Sequence, residues 1–259
     1  MKKKLRQSKL KNYFDCPRKY VLSLDIDIQQ TKPMAMGNVF ESLVFNKQKD
    51  IIEWDNVNSL VSANTKTALE IYADKVKGIF KKGEPFYSLE YETDKYILTG
   101  EADYVGDIEY FDNKYKGIID LKFTGDIKRI WGLQSQYETF GIDYYNDRNN
   151  KSDYLQAFAY PFIISRTTGE LINFYYLLVQ SDTIENMNNN EPLTRLLNVS
   201  PTPEDLDWFE SFIETVINDE FYTPNYNHCL NCQFFKTGDC DAGRRKFGEI
   251  QIVKLVELE

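Results

Sequence analysis

The sequence predicts an α/β fold, on three observations. Amphipathic helical patterns at 36–48 and 63–80 carry apolar residues at helical spacing: Val39, Phe40, Leu43 and Val44 in the first, Leu69, Tyr72, Val76 and Phe80 in the second. A β-rich centre follows at 87–92, 96–105 and 115–123, dense in Tyr, Ile, Leu and Phe, with Asp112, Asn113 and Lys114 supplying a turn for an antiparallel meander. Beyond it come a helix from Asp153 to Tyr160, a strand of buried type at 172–179 and an amphipathic helix over Pro203–Asn218 started by Thr202.

The remaining segments are read in chain order. Ser8 to Pro17 reads as a short helix capped by Ser8 and stopped by Pro17, which delivers Cys16 to a helix end. The stretches 125–132 and 141–152 read as loops, the second as a mobile connection. Alternation over 248–258 predicts a final strand. A chain of 259 residues fits one large domain or one domain plus a small subdomain, and 42% hydrophobic and 15% aromatic residues are enough to build a real core. With no apolar run of membrane-spanning length and no secretory apolar region after the Lys-rich start, the expectation is a soluble, cytoplasmic protein without a membrane partner.

The net charge of −9 argues against a general nucleic-acid binder, but its distribution does not. The first twenty residues hold eight Lys/Arg and one Asp, and Arg244, Arg245 and Lys246 form a second basic cluster. The first stretch fits either a solvated tail or a phosphate-facing pole. The four cysteines are Cys16, Cys229, Cys232 and Cys240, and the C-x2-C pair in a cytosolic chain favours metal over disulfides. By count they fit zinc or an iron-sulfur cluster, and His228 is a bystander.

Within the centre, Asp120 and Lys122 lie two residues apart in the run GIIDLKF, so in a strand they share one face while Ile119, Leu121 and Phe123 take the other. Taken alone, the pair also fits a half-exposed strand with a surface ion pair. Asp103 lies 17 residues earlier, at a separation that a hairpin closes, and Glu101 on the same face is its rival. Glu41 sits at the edge of the first helix's apolar stripe, and Gln156 and Tyr160 are i, i+4 on the helix that follows the loops. Two Asp from neighbouring strands, a Glu from a helix packed on them and the carbonyl of Leu121 suit a hard ion such as Mg2+ or Mn2+, with Lys122 placed to orient a nucleophile or neutralise charge.

These residues resemble the PD-(D/E)XK nuclease superfamily, in particular its RecB/AddB branch and the CRISPR-associated adaptation nucleases. The matching stretches are Gly37 to Glu41, Gly100 to Asp103, Asp120-Leu121-Lys122 and Gln156 to Tyr160, in the family's order. Glu41 stands where many relatives have His, and Pro161, directly after Tyr160, is expected to kink or end that helix. The resemblance implies a restriction-endonuclease-like core with a central mixed sheet flanked by helices, and a single nuclease domain over 1–259. It further implies a 4Fe-4S cluster on Cys16, Cys229, Cys232 and Cys240, in a subdomain formed by 8–20 and 225–246, with zinc as the alternative.

The function so implied is a metal-dependent deoxyribonuclease, an exonuclease acting on single strands or free ends in DNA repair or recombination. Glu41, Asp103, Asp120 and the Leu121 carbonyl would hold Mg2+ or Mn2+. Lys122 would assist the attacking water, while Gln156 and Tyr160 would position the strand. Lys9, Lys11, Arg18, Lys19, Arg244 and Arg245 would form a DNA-facing pole, with a helicase or recombinase as a further partner. Tyr13, Phe14 and Tyr20 fit core packing better than base stacking. The alternative is a non-catalytic module binding DNA or a partner within a replication, recombination or repair complex.

Overall fold

The structure is a computed structural model that describes residues 2–25, 30–49, 54–125, 127 and 154–240. Its first elements are β1 (Lys3–Arg6), α1 (Gln7–Asp15), α2 (Pro17–Leu24), α3 (Lys32–Phe45), α4 (Trp54–Leu60) and α5 (Ala63–Lys77). The strands β2 (Phe80–Glu92), β3 (Tyr96–Tyr110) and β4 (Asn113–Thr124) form the centre. After them come α6 (Leu155–Thr168), β5 (Phe174–Gln180), α7 (Ile184–Asn189), β6 (Thr194–Asn198), α8 (Pro203–Asn218), a 3-10 turn (Tyr226–Asn231) and α9 (Gln233–Thr237). The mixed α/β architecture with helices on both faces of a mixed sheet agrees with the sequence.

The six strands form one sheet. β2 and β4 run antiparallel to β3, β1 runs parallel to it, β5 is parallel to β4, and β6 closes the edge antiparallel to β5. Every residue of β5 from Phe174 to Val179 is buried, as expected of a strand covered on both faces. One face packs on α1, α6 and α8 through Leu10, Phe158, Phe162 and Phe209. The other packs on α3, α4 and α5 through Phe40, Val57, Leu69 and Tyr72.

The handover along β3 positions everything that follows. β2 covers one edge of β3 nearly throughout; the opposite edge is shared, with β1 pairing Tyr96 to Thr99 and β4 pairing Tyr104 to Tyr110. Residues 100–103 fall in the interval between β1 and β4. Here β3 also changes face, since Leu98 and Ala102 pack in the first core while Tyr104 and Ile108 pack in the second. Across from Asp103 the register with β2 skips Phe86, whose φ is +53°, a conformation costly for a bulky residue.

Several local expectations hold and others are corrected. Thr202 caps α8 in a reciprocal capping box with Asp205, as the Thr-Pro start suggests. The β3–β4 turn is centred on Phe111 and Asp112, both at positive φ, one residue earlier than read, because the strands extend past the apolar run. α1 begins at Gln7 with Arg6 as N-cap, so Ser8 is a helical residue and not the cap. The basic start is not a tail: Leu5 is buried, and β1 adds to the sheet while Lys3 Nζ donates to the Ile217 carbonyl at 2.5 Å.

Helix α6 runs through Pro161 instead of ending there. The missing N–H removes one helical bond, but the ring is buried with Phe158, Phe162 and Ile163 in the core, and that packing keeps the helix continuous. Tyr13, Phe14 and Tyr20 are committed to the interior: Phe14 stacks on Phe212 at 4.3 Å and Tyr13 Oη donates to Asp219 Oδ2 at 2.7 Å. The loops beyond 127, the cluster Arg244 to Lys246 and the strand at 248–258 lie outside the described residues, as does the side chain of His228. Among the described residues no helix is long and apolar enough to cross a membrane.

Gly117 marks the closest approach of β4 to the chain entering β5. A Cβ there would lie 2.4 Å from the Asn173 carbonyl oxygen, a backbone atom that cannot move aside alone. Gly117→Ala is expected to destabilise the fold by about 2 kcal/mol or more, measured by urea denaturation.

Candidate functional site

The interval on β3 opens into a cleft of about 570 Å³ lined by Arg6, Gln7, Glu41, Lys49, Glu101, Asp103, Lys122, Gln156 and Tyr160 among others. Glu41, Asp103, Lys122, Gln156 and Tyr160, five of the six side chains expected to form the site, therefore line one space together with the rival Glu101, and Asp120 joins them through Lys122. β4 leaves β3 after Ile119 and continues alongside β5, pairing Asp120 with Tyr176 and Lys122 with Leu178. Asp103 fills the place of the next ladder bond: its Oδ2 accepts the Leu121 N–H at 3.0 Å. Period-2 alternation puts Asp120 and Lys122 on one face, with Ile119 and Leu121 in the opposite core.

Asp120 is 1% exposed and ion-paired through Oδ2 to Lys122 Nζ, yet that oxygen receives no well-directed hydrogen bond. Lys122 lies 5.9 Å from the centre of the Tyr176 ring. Glu41 reaches the site from α3, and its Oε2 shares an ammonium with Asp103 Oδ1. That ammonium is Lys49 Nζ, 2.9 Å from each oxygen.

Lys49 is a site residue that sequence reasoning missed. Asn46 ends α3 in the left-handed conformation, with its N–H on Leu43 O and the Lys47 N–H on Ser42 O, and this reversal turns the chain back toward Glu41. The Trp54 indole then holds the Lys49 carbonyl at 2.8 Å. The only signal in the sequence was Asn46 itself, a C-cap residue closing the helical stripe.

Gln156 and Tyr160 are brought together as spaced: Gln156 Nε2 donates to Tyr160 Oη at 3.4 Å. Tyr160 Oη in turn donates to Gln7 Oε1 at 3.3 Å. Gln7, buried at the first turn of α1, is the second residue missed, because it belongs to no apolar stripe. The ring of Tyr160 lies over Gly100, where a Cβ would sit 2.6 Å from Cε1. Glu101 lies opposite Ser88 on β2 and lines the cleft, but it lacks the burial and backbone contact of Asp103.

Burial raises the Glu41 carboxyl to about 8, helped by the charge of Asp103 and opposed by Lys49 and Lys122. Burial raises Asp120 to about 6, with Lys122 pulling it down and Asp103 pushing it up. Burial disfavours the ammonium of Lys122, but Asp120, Asp103 and Glu41 outweigh it and hold the group above its ordinary range. Burial and the Asp120 charge raise Tyr160, so its phenol stays protonated.

As donors the residues suit a hard cation: three carboxylates matched by two ammoniums, one carboxylate oxygen without a directed hydrogen bond. Among the described residues, however, no three His, Cys, Asp or Glu side chains stand ready to share an ion. In this cleft the Lys49 ammonium stands between two of them.

The four cysteines are all buried and line one pocket, with Lys19, Leu22, Pro224, Asn225 and Phe235. The Asn225 N–H donates to Cys16 Sγ at 3.2 Å and its side-chain amide donates to Asp15 O at 2.9 Å, which ties the two ends of the described chain. Four thiols suit a thiolate-bound metal by chemistry. The pocket they share is small, with about 10 Å³ of free space. The basic flanks are partly engaged: Lys9 Nζ donates to Ser23 O at 2.6 Å and Lys19 pairs with Asp15 at 2.5 Å. Lys11 and Arg18 are exposed.

No protein-family model matches the sequence, and no curated protein matches it. Among solved structures, the chain is similar to a protein from Eubacterium rectale named a "putative exonuclease", at 16% identity and a TM-score of 0.53, covering 91% of this chain and 88% of that one. That likeness defines a shared fold over nearly the whole length. A second structure, SSO0001, aligns at 12% identity over 91% of this chain and 95% of its own, with a TM-score of 0.32.

The raised carboxyls predict a pH dependence. An acid whose folded pKa exceeds its unfolded value favours folding while protonated, and this contribution is lost as pH rises through the folded pKa. From ordinary values of 4.5 and 3.8, Glu41 and Asp120 place that loss between about pH 4 and 8. The melting temperature in chelator is expected to fall over this window, and Glu41→Gln to flatten the limb between pH 6 and 8, as read by differential scanning fluorimetry.

Proposed function

We propose that the protein is a metal-dependent DNA nuclease of the PD-(D/E)XK type, of the RecB/AddB and CRISPR-associated adaptation branch, acting as an exonuclease on single strands or free ends. The observation that carries the reading is the convergence of Glu41, Asp103, Asp120 and Lys122 at one break in the sheet, behind an open cleft. The shared fold with the protein named a "putative exonuclease" agrees with it.

Glu41, Asp103, Asp120 and the carbonyl of Leu121 would hold Mg2+ or Mn2+. Such an ion supplies charge neutralisation and a lowered water pKa for phosphodiester hydrolysis. Lys122, kept protonated by Asp120, orients the attacking water or offsets charge growing on the phosphate. The chain Gln156, Tyr160 and Gln7 presents amide and hydroxyl groups along the cleft to position the strand. Arg6, exposed at the same rim, offers a phosphate contact.

Cys16, Cys229, Cys232 and Cys240 are proposed to hold a 4Fe-4S cluster, with zinc as the alternative. Either would close a loop of more than two hundred residues and contribute to folding. Binding to a helicase or recombinase in repair is part of the same reading. The Lys49 bridge favours a second reading, a non-catalytic module that binds DNA without cutting it.

Labelled single- and double-stranded DNA should be digested in Mn2+, and Asp120→Ala or Lys122→Ala should lower the rate at least a hundredfold. Undiminished cleavage by either variant rejects this active site, and tight binding without cutting across divalent ions selects the binding module. Protein purified without oxygen should be brown and lose its colour with Cys16→Ser. A colourless preparation with one zinc per chain removes the iron and leaves the nuclease reading in place.

A further inference from the structure

Lys49 makes contacts that a surface lysine does not. Its Nζ is 2.9 Å from Glu41 Oε2 and 2.9 Å from Asp103 Oδ1, so a single ammonium satisfies two carboxylates from different elements. The Phe86 ring lies 5.5 Å from the same nitrogen, and the Trp54 indole fixes the backbone behind it. Two acids facing one another in a poorly solvated site require a positive charge between them, and the chain supplies its own.

The two lysines of the cleft differ in how they are held. Lys122 is part of β4, two residues along the same strand from the one carboxylate it pairs with, and its side chain is 30% exposed to the cleft. Lys49 follows the end of α3 outside any helix or strand, its side chain keeps 20% of its surface exposed, and it borders the open cleft. Rotation of its long side chain toward the cleft breaks two ion pairs and moves no element of the fold. The two oxygens it occupies belong to residues that a hard divalent ion would take.

We propose that Lys49 is a displaceable internal counter-ion: it holds Glu41 and Asp103 together in the cation-free protein, swings into the cleft when a divalent ion takes those carboxylates, and so sets the concentration at which the site loads. The inference rests on the reading of Glu41 and Asp103 as cation ligands, and it does not require that the protein cut DNA. Entry of the ion exchanges two ammonium contacts for ion contacts, so removing the ammonium should favour loading.

The test is Mn2+ binding by the full-length chain without DNA, followed by electron paramagnetic resonance of the free ion and by chelator competition. Lys49→Met, similar in length and uncharged, should bind Mn2+ about tenfold more tightly than the wild type, a change equivalent to roughly 1.4 kcal/mol. Its melting temperature in chelator should be lower, and its rise on adding Mn2+ larger. Lys49→Arg, which keeps the charge, should bind no more tightly than the wild type. If Lys49→Met folds only with the ion present, it is prepared in Mn2+ and the competition measurement gives the same order of affinities.

Equal or weaker Mn2+ binding by Lys49→Met overturns the proposal, as does the absence of Mn2+ binding by both proteins. If Lys49→Met binds more tightly but the wild type leaves DNA intact in Mn2+, the nuclease reading fails and the role of Lys49 stands.

Discussion

Three carboxylates and two ammoniums gathered at the break in the sheet, where β3 passes from β1 to β4, are the constraint around which the structure is arranged. Charge in that position is unfavourable unless each group finds an opposite charge or a directed donor. Asp103 meets the requirement with the Leu121 amide and Lys49, Asp120 with Lys122, and Glu41 with the same Lys49. Burial, with the charge of Asp103 added to it, raises the carboxyl pKa values of Glu41 and Asp120. A site in this condition attracts cations, and its first cation comes from its own chain.

The surrounding fold makes the arrangement affordable. A continuous sheet would have buried residues 100–103 in a ladder; instead β1 and β4 occupy successive lengths of one edge and leave a window between them. The change of face in β3 and the left-handed Phe86 opposite it turn Asp103 out of the two cores. Helices then close the window from both sides, α3 with Glu41 and α1 with α6 through Gln7, Gln156 and Tyr160. Gly100 lets the Tyr160 ring approach the strand closely.

The cysteine end serves the same geometry from a distance. Cys16 closes α1, whose first residue Gln7 reaches the cleft, and Asn225 binds both Asp15 and Cys16. A metal gathered by the four thiols would fix the axis of α1 and hence the position of Gln7. Of the basic residues nearest this pole, Lys9 and Lys19 make internal contacts, to the Ser23 carbonyl and to Asp15.

What the sequence determined by itself was local and periodic. The alternation that separates Asp120 and Lys122 from Leu121, the i, i+4 spacing of Gln156 and Tyr160, and the Thr202 start of α8 all follow from a pitch of two or 3.6 residues and from capping chemistry. Tertiary structure alone decided the role of the Lys-rich start, the passage of α6 through Pro161, and the entry of Gln7 and Lys49 into the site. Each of these depends on partners far along the chain: β3 for the start, the buried aromatic core for Pro161, Tyr160 for Gln7 and Asp103 for Lys49. A lysine in a polar loop carries no period, so nothing in its neighbours could show that its charge would be needed between two acids 8 and 54 residues away.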